Sequence, residues 1–256
     1  MKISVVTPSY NQSNFIEETI LSVMNQNYPH YEHIIIDGGS TDNTVSILKK
    51  YPHLKWVSEK DSGQSNAINK GFAMSSGDII SWINSDDYYE KNVFGFIIEY
   101  FIKNPDCMIL YGDMTFVDIN GNKLFSAEGD KINEERLMDC PDCVRQPSFF
   151  WRKQVMEVCG DIDEHLHLVM DFDFFLRIAK KFAFGYLNKN LSNLRVYSVS
   201  KTLSMPRRQV YEMYSVYKKN NITLTRKRLV FLLKKYIKSL RVVYRILLHF
   251  RGEGRV

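Results

Sequence analysis

Apolar segments alternate with amphipathic segments through residues 2–84, and this alternation constrains the fold more than any other feature of the sequence. The segments KISVVTP, HIIIDGG, LKWVSE and DIISWIN are typical of strands, and apolar residues recur at helical spacing between them. A helix between two strands returns the chain to the same end of the sheet, so the strands run parallel, and such crossovers are almost always right-handed. The pattern predicts an α/β fold with an open, mostly parallel, Rossmann-like sheet covered by helices.

Three local signals add detail to this fold. Ser13 is a suitable N-cap for the first helix, and Asn120-Gly121 suits the tight turn of a hairpin. The segment HLVMDFDFFLRIAKKFA predicts a helix that begins near Asp171.

Polar residues cluster where each of the first four strands ends. The clusters are TPSYN at Thr7 to Asn11, Asp37, EKDSGQ at residues 59–64, and the pair Asp86 and Asp87. Ligands of open α/β sheets bind beyond the carboxyl ends of the strands. We therefore expect the functional site at this edge.

Asp86 and Asp87 set two like charges at the mouth of a buried strand. Adjacent carboxylates resist burial unless water or a cation compensates them. The chain contains no GxGxxG after the first strand and no GxxxxGK[ST], so it lacks the usual glycine-rich loops for a diphosphate. The pair is expected to meet a diphosphate through a divalent cation, Mn²⁺ or Mg²⁺.

Several motifs together resemble the inverting nucleotide-sugar glycosyltransferases of family two, which have the GT-A fold. The matching blocks are VVTPSYN, IIIDGGSTDNT, EKDSGQSNAINKGF, SSGDIISWINSDD and MDFDFFLR, and the resemblance extends over residues 2–202. It implies that a UDP- or GDP-sugar donor is bound, with a metal ion held by Asp86 and Asp87. The implied donor-binding residues are Thr7, Tyr10, Asp37, Asp61, Lys70 and Asp86.

The same resemblance implies that Asp171 is the general base and that Gln146 lies on the acceptor side. Asp173 is a rival for the base, and the dipole of the predicted helix is expected to keep Asp171 ionised. Two positions depart from the family pattern: Asn84 stands where Asp is common, and Tyr197 stands where an Arg-x-His element usually has its histidine. Tyr197 therefore leaves a third metal contact open.

The implied function is transfer of a sugar to a glycan or a polyprenyl-linked acceptor in cell-surface polysaccharide biosynthesis. Two other classes remain open. A glycoside hydrolase also uses paired carboxylates but needs neither metal nor nucleoside. A non-catalytic protein that binds nucleotide sugars would need no general base.

The charge of the chain divides it into two predicted parts, a catalytic domain at 1–202 and a basic helical tail at 203–256. Residues 203–256 carry 14 Lys and Arg against 2 acids, a net charge of +12, whereas residues 1–202 carry −7. From Arg226 to Arg251, apolar and basic residues occupy opposite sides of a predicted helix. Such a helix favours an anionic membrane surface, with docking on the protein's own body as the alternative.

Other features narrow the location and partners of the protein. The aromatic residues of the tail lie on its apolar side, which argues against nucleic acid as a partner. No signal peptide or stretch of about 18 apolar residues is visible in the sequence. We expect a cytoplasmic protein, peripheral on the inner face of the cell membrane. CPDC at 140–143 lacks a second ligand pair for zinc, so free thiols are expected.

Overall fold

The computed structural model describes residues 1–129, 131–197 and 205–237, which form one mixed sheet with helices packed on it. The strands are β1 Ile3–Ser9, β2 Tyr31–Asp37, β3 Lys55–Ser58, β4 Ile79–Trp82, β5 Tyr88–Tyr89, β6 Ile109–Val117, β7 Lys123–Ala127, β8 Phe149–Arg152 and β9 Phe184–Arg195. The helices are α1 Ile16–Met24, α2 Thr44–Leu48, α3 Gln64–Met74, α4 Val93–Lys103, α5 Glu134–Asp139, α6 Gln154–Cys159, α7 Met170–Ala179, α8 Pro206–Lys219 and α9 at 226–237.

The strand order is β3-β2-β1-β4-β8-β6-β9-β5, and β7 pairs with the C-terminal half of β6, beyond the residues that pair with β8. The first four strands are parallel, as the strand–helix alternation predicts. Beyond β4 the sheet becomes mixed, because β8 runs antiparallel to both β4 and β6 while β9 runs parallel to β6. The predicted α/β class is confirmed.

Both faces of the sheet are covered, and β2 shows how its sequence achieves this. Ile34 and Ile36 pack on one face against Ala67 of α3. Ile35 points to the other face and packs against residues of α1 and α2, including Ile20. A strand buried on both faces needs a continuous apolar run, and this explains the sequence HIIID.

Two of the three local predictions are confirmed and one is wrong. β6 and β7 form an antiparallel hairpin whose turn contains Gly121 at φ +84°, and α7 begins at Met170. Ser13, however, does not cap α1. The carbonyl of Gln12 accepts the N–H groups of both Phe15 and Ile16, so α1 begins later, after a turn.

Helix α8 lies beyond the predicted domain boundary after residue 202 and packs into the main core. Its residues Met213, Val216 and Tyr217 are almost completely buried in the same cluster as Trp151 and Phe172. Within the described residues, the chain after 205 therefore packs directly on the sheet-bearing body. None of the described helices is long and apolar enough to cross a membrane.

Candidate active site

The order of the strands creates a crevice at the carboxyl ends of β1 and β4. From β1 the chain passes to β2 on one side, whereas β4 pairs with β1 on the other side. Such a switch point leaves the two following loops apart and opens a binding crevice between them. The loops after β1, β2 and β4 carry the polar residues that the sequence singles out.

Asp37 ends β2 at this edge and holds the loop that follows it. Its carboxylate accepts hydrogen bonds from the N–H of Ser40 at 2.9 Å and from the hydroxyls of Ser40 at 2.5 Å and Ser58 at 2.7 Å. Asp61 lies beside this loop, because a Cβ added to Gly38 would come within 2.9 Å of its carboxylate. Tyr10 is 60% exposed at the end of β1. These three residues share the predicted nucleoside side of the crevice.

Two other residues predicted to bind the sugar donor have side chains that already contact other residues of the protein. Thr7 is fully buried, and its hydroxyl lies 2.9 Å from Nε2 of His33. Burial lowers the pKa of His33 to about 3, so this histidine is neutral. Lys70 forms an ion pair with Glu59 at 2.5 Å. Thr7 thus contributes to the floor beneath the crevice, and Lys70 pairs with the loop after β3.

Asp86 and Asp87 follow β4 and point in different directions. Asp87 is 2% exposed, and its carboxylate accepts hydrogen bonds from the N–H of Arg195 at 2.9 Å and the amide of Asn84 at 3.1 Å. The carboxylate of Asp86 accepts one from the hydroxyl of Tyr197 at 2.7 Å. Asp86 is therefore the member of the pair with unused acceptor capacity.

The environment of this pair suits a cation. Burial raises the pKa of Asp86, while burial and the neighbouring charge of Asp86 raise the pKa of Asp87 well above its usual range. A divalent cation with oxygen ligands would compensate both charges, and such ions complete their coordination with water and phosphate oxygens. Among the described residues, no group of three or more His, Cys, Asp or Glu could hold a metal ion. The donor set fits a metal with few protein ligands.

Arg195 fixes the loop that carries the aspartates, a role that the sequence does not reveal. Its side chain is 3% exposed and lies over the ring of Phe15, 5.0 Å from the centroid. The guanidinium donates to the carboxylate of Glu18 and to the carbonyls of Asp86, Asp118 and Ile119. The end of β9 is thereby tied to α1 and to the loop after β4.

Substitution of Arg195 should destabilise the protein strongly. Arg195→Ala leaves several buried acceptors without a donor, and we expect the free energy of unfolding to fall by about 3 kcal/mol. Thermal unfolding of the variant, compared with that of the exposed control Arg207→Ala, measures this effect. Equal melting temperatures for the two variants would refute the anchoring role.

Asn84 is the centre of a network beneath the crevice. Its amide oxygen accepts from the amide of Gln64 at 2.9 Å and the indole N–H of Trp82 at 3.0 Å. Its amide nitrogen donates to Asp87 and, at 3.2 Å, to the side-chain oxygen of Gln146. Asn84 supplies a donor that an aspartate at this position would lack.

Gln146, predicted on the acceptor side, is 6% exposed and uses both ends of its amide inside the protein. Its nitrogen donates to the carbonyl of Trp82 at 2.5 Å, and its oxygen accepts from Asn84. The geometry therefore gives Gln146 a supporting position under the aspartate loop.

Asp171 lies in the first turn of α7 and is half-buried. Its carboxylate accepts a hydrogen bond from the N–H of Phe172 at 2.8 Å. Burial raises the pKa of Asp171 to about 6, and the backbone hydrogen bond only partly opposes this effect. Desolvation is a larger effect than the backbone hydrogen bond at the helix start, yet with this pKa the carboxylate is still mostly ionised at neutral pH. A carboxylate with this pKa can accept a proton near neutral pH.

Asp173 lies on the inner side of the same helix and is completely buried. It pairs with Arg177 at 2.9 Å, and the amine of Lys219 lies 3.8 Å from its other oxygen. This carboxylate is held in a structural ion-pair network between α7 and α8.

The start of α3 connects the segment before Asp171 to the aspartate loop. The hydroxyl of Ser65 donates to the carbonyl of Leu166 at 2.8 Å and contacts the sulfur of Met170 at 3.0 Å. The preceding residue, Gln64, donates to Asn84. The segment that leads into α7 and the loop that holds Asp87 are thus linked through two adjacent residues of α3.

The four cysteines are free, as the sequence predicts. Cys140 lies near Cys143 in a short turn, and a hydrogen bond from the Cys143 thiol lowers the pKa of Cys140 to about 6.

Comparison with known proteins agrees with this geometry. The profile of the family described as "Glycosyl transferase family 2" matches residues 4–158, more than half of the chain. The chain belongs to glycosyl transferase family 2. A family 2 relative named for teichuronic acid biosynthesis, TuaG of Bacillus subtilis, is 40% identical over 96 residues, which are 35% of this chain and 38% of TuaG. The chain therefore matches well under half the length of that relative.

Solved glycosyltransferase structures share the fold. The structure of S. aureus TarS 1–349 with UDP-GlcNAc superposes with a TM-score of 0.69 at 18% identity, covering 94% of this chain and 72% of that one. The mannosyltransferase PcManGT of Pyrobaculum calidifontis, in complex with GDP-Man and Mn²⁺, gives a TM-score of 0.64 at 15% identity, covering 87% of this chain and 64% of that one. At these identities the likeness establishes the GT-A fold.

Proposed function

We propose that this family 2 glycosyltransferase moves a sugar from a nucleotide-sugar donor to a hydroxyl group with inversion of the anomeric configuration. The observation that carries the proposal is that the candidate site contains acidic side chains in two different environments. One is a buried aspartate pair that suits a cation, and the other is a separate carboxylate whose pKa is about 6. Inversion by a single displacement needs both a stabilised leaving group and a base for the acceptor.

Asp86 would hold a divalent metal at the donor diphosphate, with Asp87 behind it. Bound there, the metal would stabilise the negative charge of the departing nucleoside diphosphate. Asp37, Asp61 and Tyr10 would receive the nucleoside, and the exposed ring of Tyr10 would offer a face for the base. The nucleotide complexes of TarS and PcManGT support a UDP- or GDP-sugar as donor.

Asp171 would accept the proton of the acceptor hydroxyl as that oxygen forms the new glycosidic bond. Its half-buried position lets an acceptor reach it, whereas Asp173 is enclosed by Arg177 and Lys219. At neutral pH a base of this pKa is mostly deprotonated, and it is basic enough to take the proton of the acceptor hydroxyl as the sugar is transferred.

We assign the acceptor to the class of glycans or lipid-linked glycans of a cell-surface polysaccharide. The teichuronic acid relative supports a polysaccharide. The basic residues near the C-terminus support a cytoplasmic enzyme that works at the inner face of the membrane, where polyprenyl-linked acceptors lie.

Donor binding can be tested by thermal shift with UDP, GDP, UDP-GlcNAc and GDP-mannose, each with Mn²⁺ or with a chelator. We expect one nucleotide class to raise the melting temperature by several degrees, and only with the metal, because metal and diphosphate bind together. No response to any of the four with Mn²⁺ would contradict the proposed donor class.

A further inference from the structure

Helix α9 docks on the protein through a side that carries both basic and apolar residues. Lys227 and Arg228 pair with Asp139 at 2.6 and 2.9 Å, and Lys235 pairs with Asp142. Phe231 and Leu232 pack against the main core from the same side, and Leu232 is 7% exposed. Acidic residues of the segment after α5 therefore hold this helix against the body.

The opposite side of the helix is apolar and faces outward. At about 100° per residue, its exposed apolar side chains lie within one arc of roughly 120°. These side chains are Leu229 (49% exposed), Val230 (39%), Leu233 (56%), Tyr236 (41%) and Ile237 (42%). These side chains form a contiguous exposed apolar stripe along the outward side of α9, and such stripes mark surfaces that bind proteins or membranes.

We propose that the outward side of α9 is a membrane-binding surface that lies on an anionic bilayer and holds the acceptor side of the active site against it. This inference rests on the proposed function, in which the acceptor is a lipid-linked glycan at the membrane. Lys234 lies at the border of the apolar arc and Arg226 lies at its N-terminal end, and both side chains are exposed. Cations at the border of an apolar stripe match anionic headgroups around an inserted helix.

Charge favours a bilayer over a second copy of the chain. In a symmetric dimer through this surface, each copy would bring the same basic segment to the contact, and residues 203–256 carry +12. Anionic lipid would neutralise the same charge. A helix that lies in the membrane interface, unlike one that spans the membrane, needs no long apolar stretch. Residues 226–237 mix basic and apolar residues, as an interfacial helix does.

The docked side connects this surface to the proposed base. Asp139 ends α5, and α5 packs against α7, the helix that carries Asp171 in its first turn. Asp142 and Lys235 agree with this placement, because their charges also act on the pKa of Asp171. The ion pair between these two residues is also the attachment point of α9. A bilayer under α9 would therefore adjoin the acceptor side and not the nucleoside side at Asp37.

Flotation of the full chain with phosphatidylcholine vesicles, with and without phosphatidylglycerol, tests the proposal. We expect the wild type to float with the anionic vesicles, and Leu229→Asp/Leu233→Asp to bind them at least about tenfold more weakly, because two apolar contacts become charges. Lys234→Glu should cost at least about fivefold. Val158→Asp is the matched control, since Val158 is also 56% exposed but lies on α6.

Three results would overturn the proposal: a wild type that ignores anionic vesicles, a double variant that floats like the wild type, or a Val158→Asp variant that is equally impaired. A dimer that the double variant abolishes, without any flotation, would assign the surface to a second copy. Thermal shift with nucleotide and Mn²⁺ on the same variants keeps this test separate from donor binding. Unchanged shifts with lost flotation would locate the defect at the membrane surface alone.

Discussion

Asp171→Asn is expected to lower turnover by at least about a hundredfold while donor binding stays close to that of the wild type. An amide cannot accept the proton of the acceptor hydroxyl, and general base catalysis of this kind contributes about 10²–10⁴-fold. The donor contacts lie at the ends of β1, β2 and β4, so they should persist. Nucleoside diphosphate release measures turnover, and thermal shift with the donor measures binding.

The same substitution should stabilise the protein at neutral pH. The pKa of Asp171 is about 6 in the folded state, above its ordinary value, so folding favours the protonated form. The wild type therefore loses stability as the pH rises from about 4 through 6, and Asp171→Asn avoids a penalty of at most about 3 kcal/mol above pH 6. The difference between the two proteins should disappear below pH 4.

Asp173→Asn is the control, because it removes the same charge two residues away. Here the amide weakens the pairing with Arg177 and Lys219 and should lower stability by about 2 kcal/mol, while turnover of the folded protein remains. If Asp173→Asn loses turnover and Asp171→Asn retains it, our assignment of the base is wrong. Wild-type turnover should also rise about tenfold per pH unit below pH 6 and level off above it.

Asp86→Ala is expected to lower metal-dependent turnover by at least about a hundredfold, since the leaving diphosphate would lose charge stabilisation worth several kcal/mol. Asp87→Ala should have a similar effect on turnover but the opposite effect on stability. Removing Asp86 relieves its repulsion of the more deeply buried Asp87 and frees one donor, the hydroxyl of Tyr197. Removing Asp87 leaves two buried donors, the N–H of Arg195 and the amide of Asn84, without their acceptor. Without metal, Asp86→Ala should melt higher than Asp87→Ala.

The control for both substitutions is Asp106→Ala, which removes an exposed aspartate between α4 and β6. Turnover and its response to Mn²⁺ should be unchanged in this variant. Full activity of Asp86→Ala in chelator-treated buffer would refute the metal role of the aspartate pair.

The parallel half of the sheet and its functional edge could be predicted because local patterns determine them. Runs such as HIIID are buried on both faces, and their polar ends must reach the sheet edge whatever the rest of the chain does. The hairpin at Asn120-Gly121 was equally predictable, since its turn depends on a positive φ.

Long-range contacts explain what could not be predicted. Arg195 lies more than a hundred residues from Asp86, and only the pairing of β9 with β5 and β6 brings them together. The pKa of Asp171 depends on burial among distant segments, which its position at a helix start does not show. Likewise the helical pattern of 226–237 predicts two sides but not which one docks. Residues 238–256, the rest of the predicted tail helix, lie outside the described residues.

Release of nucleoside diphosphate from UDP- and GDP-sugars, followed with Mn²⁺ and with chelator, tests the central claim most directly. We predict metal-dependent release from one donor class that Asp86→Ala and Asp171→Asn both abolish, although only the first should lose metal-dependent binding. Release that persists in chelator, or cleavage of glycans by water with no requirement for nucleotide, would contradict the account and favour a glycoside hydrolase.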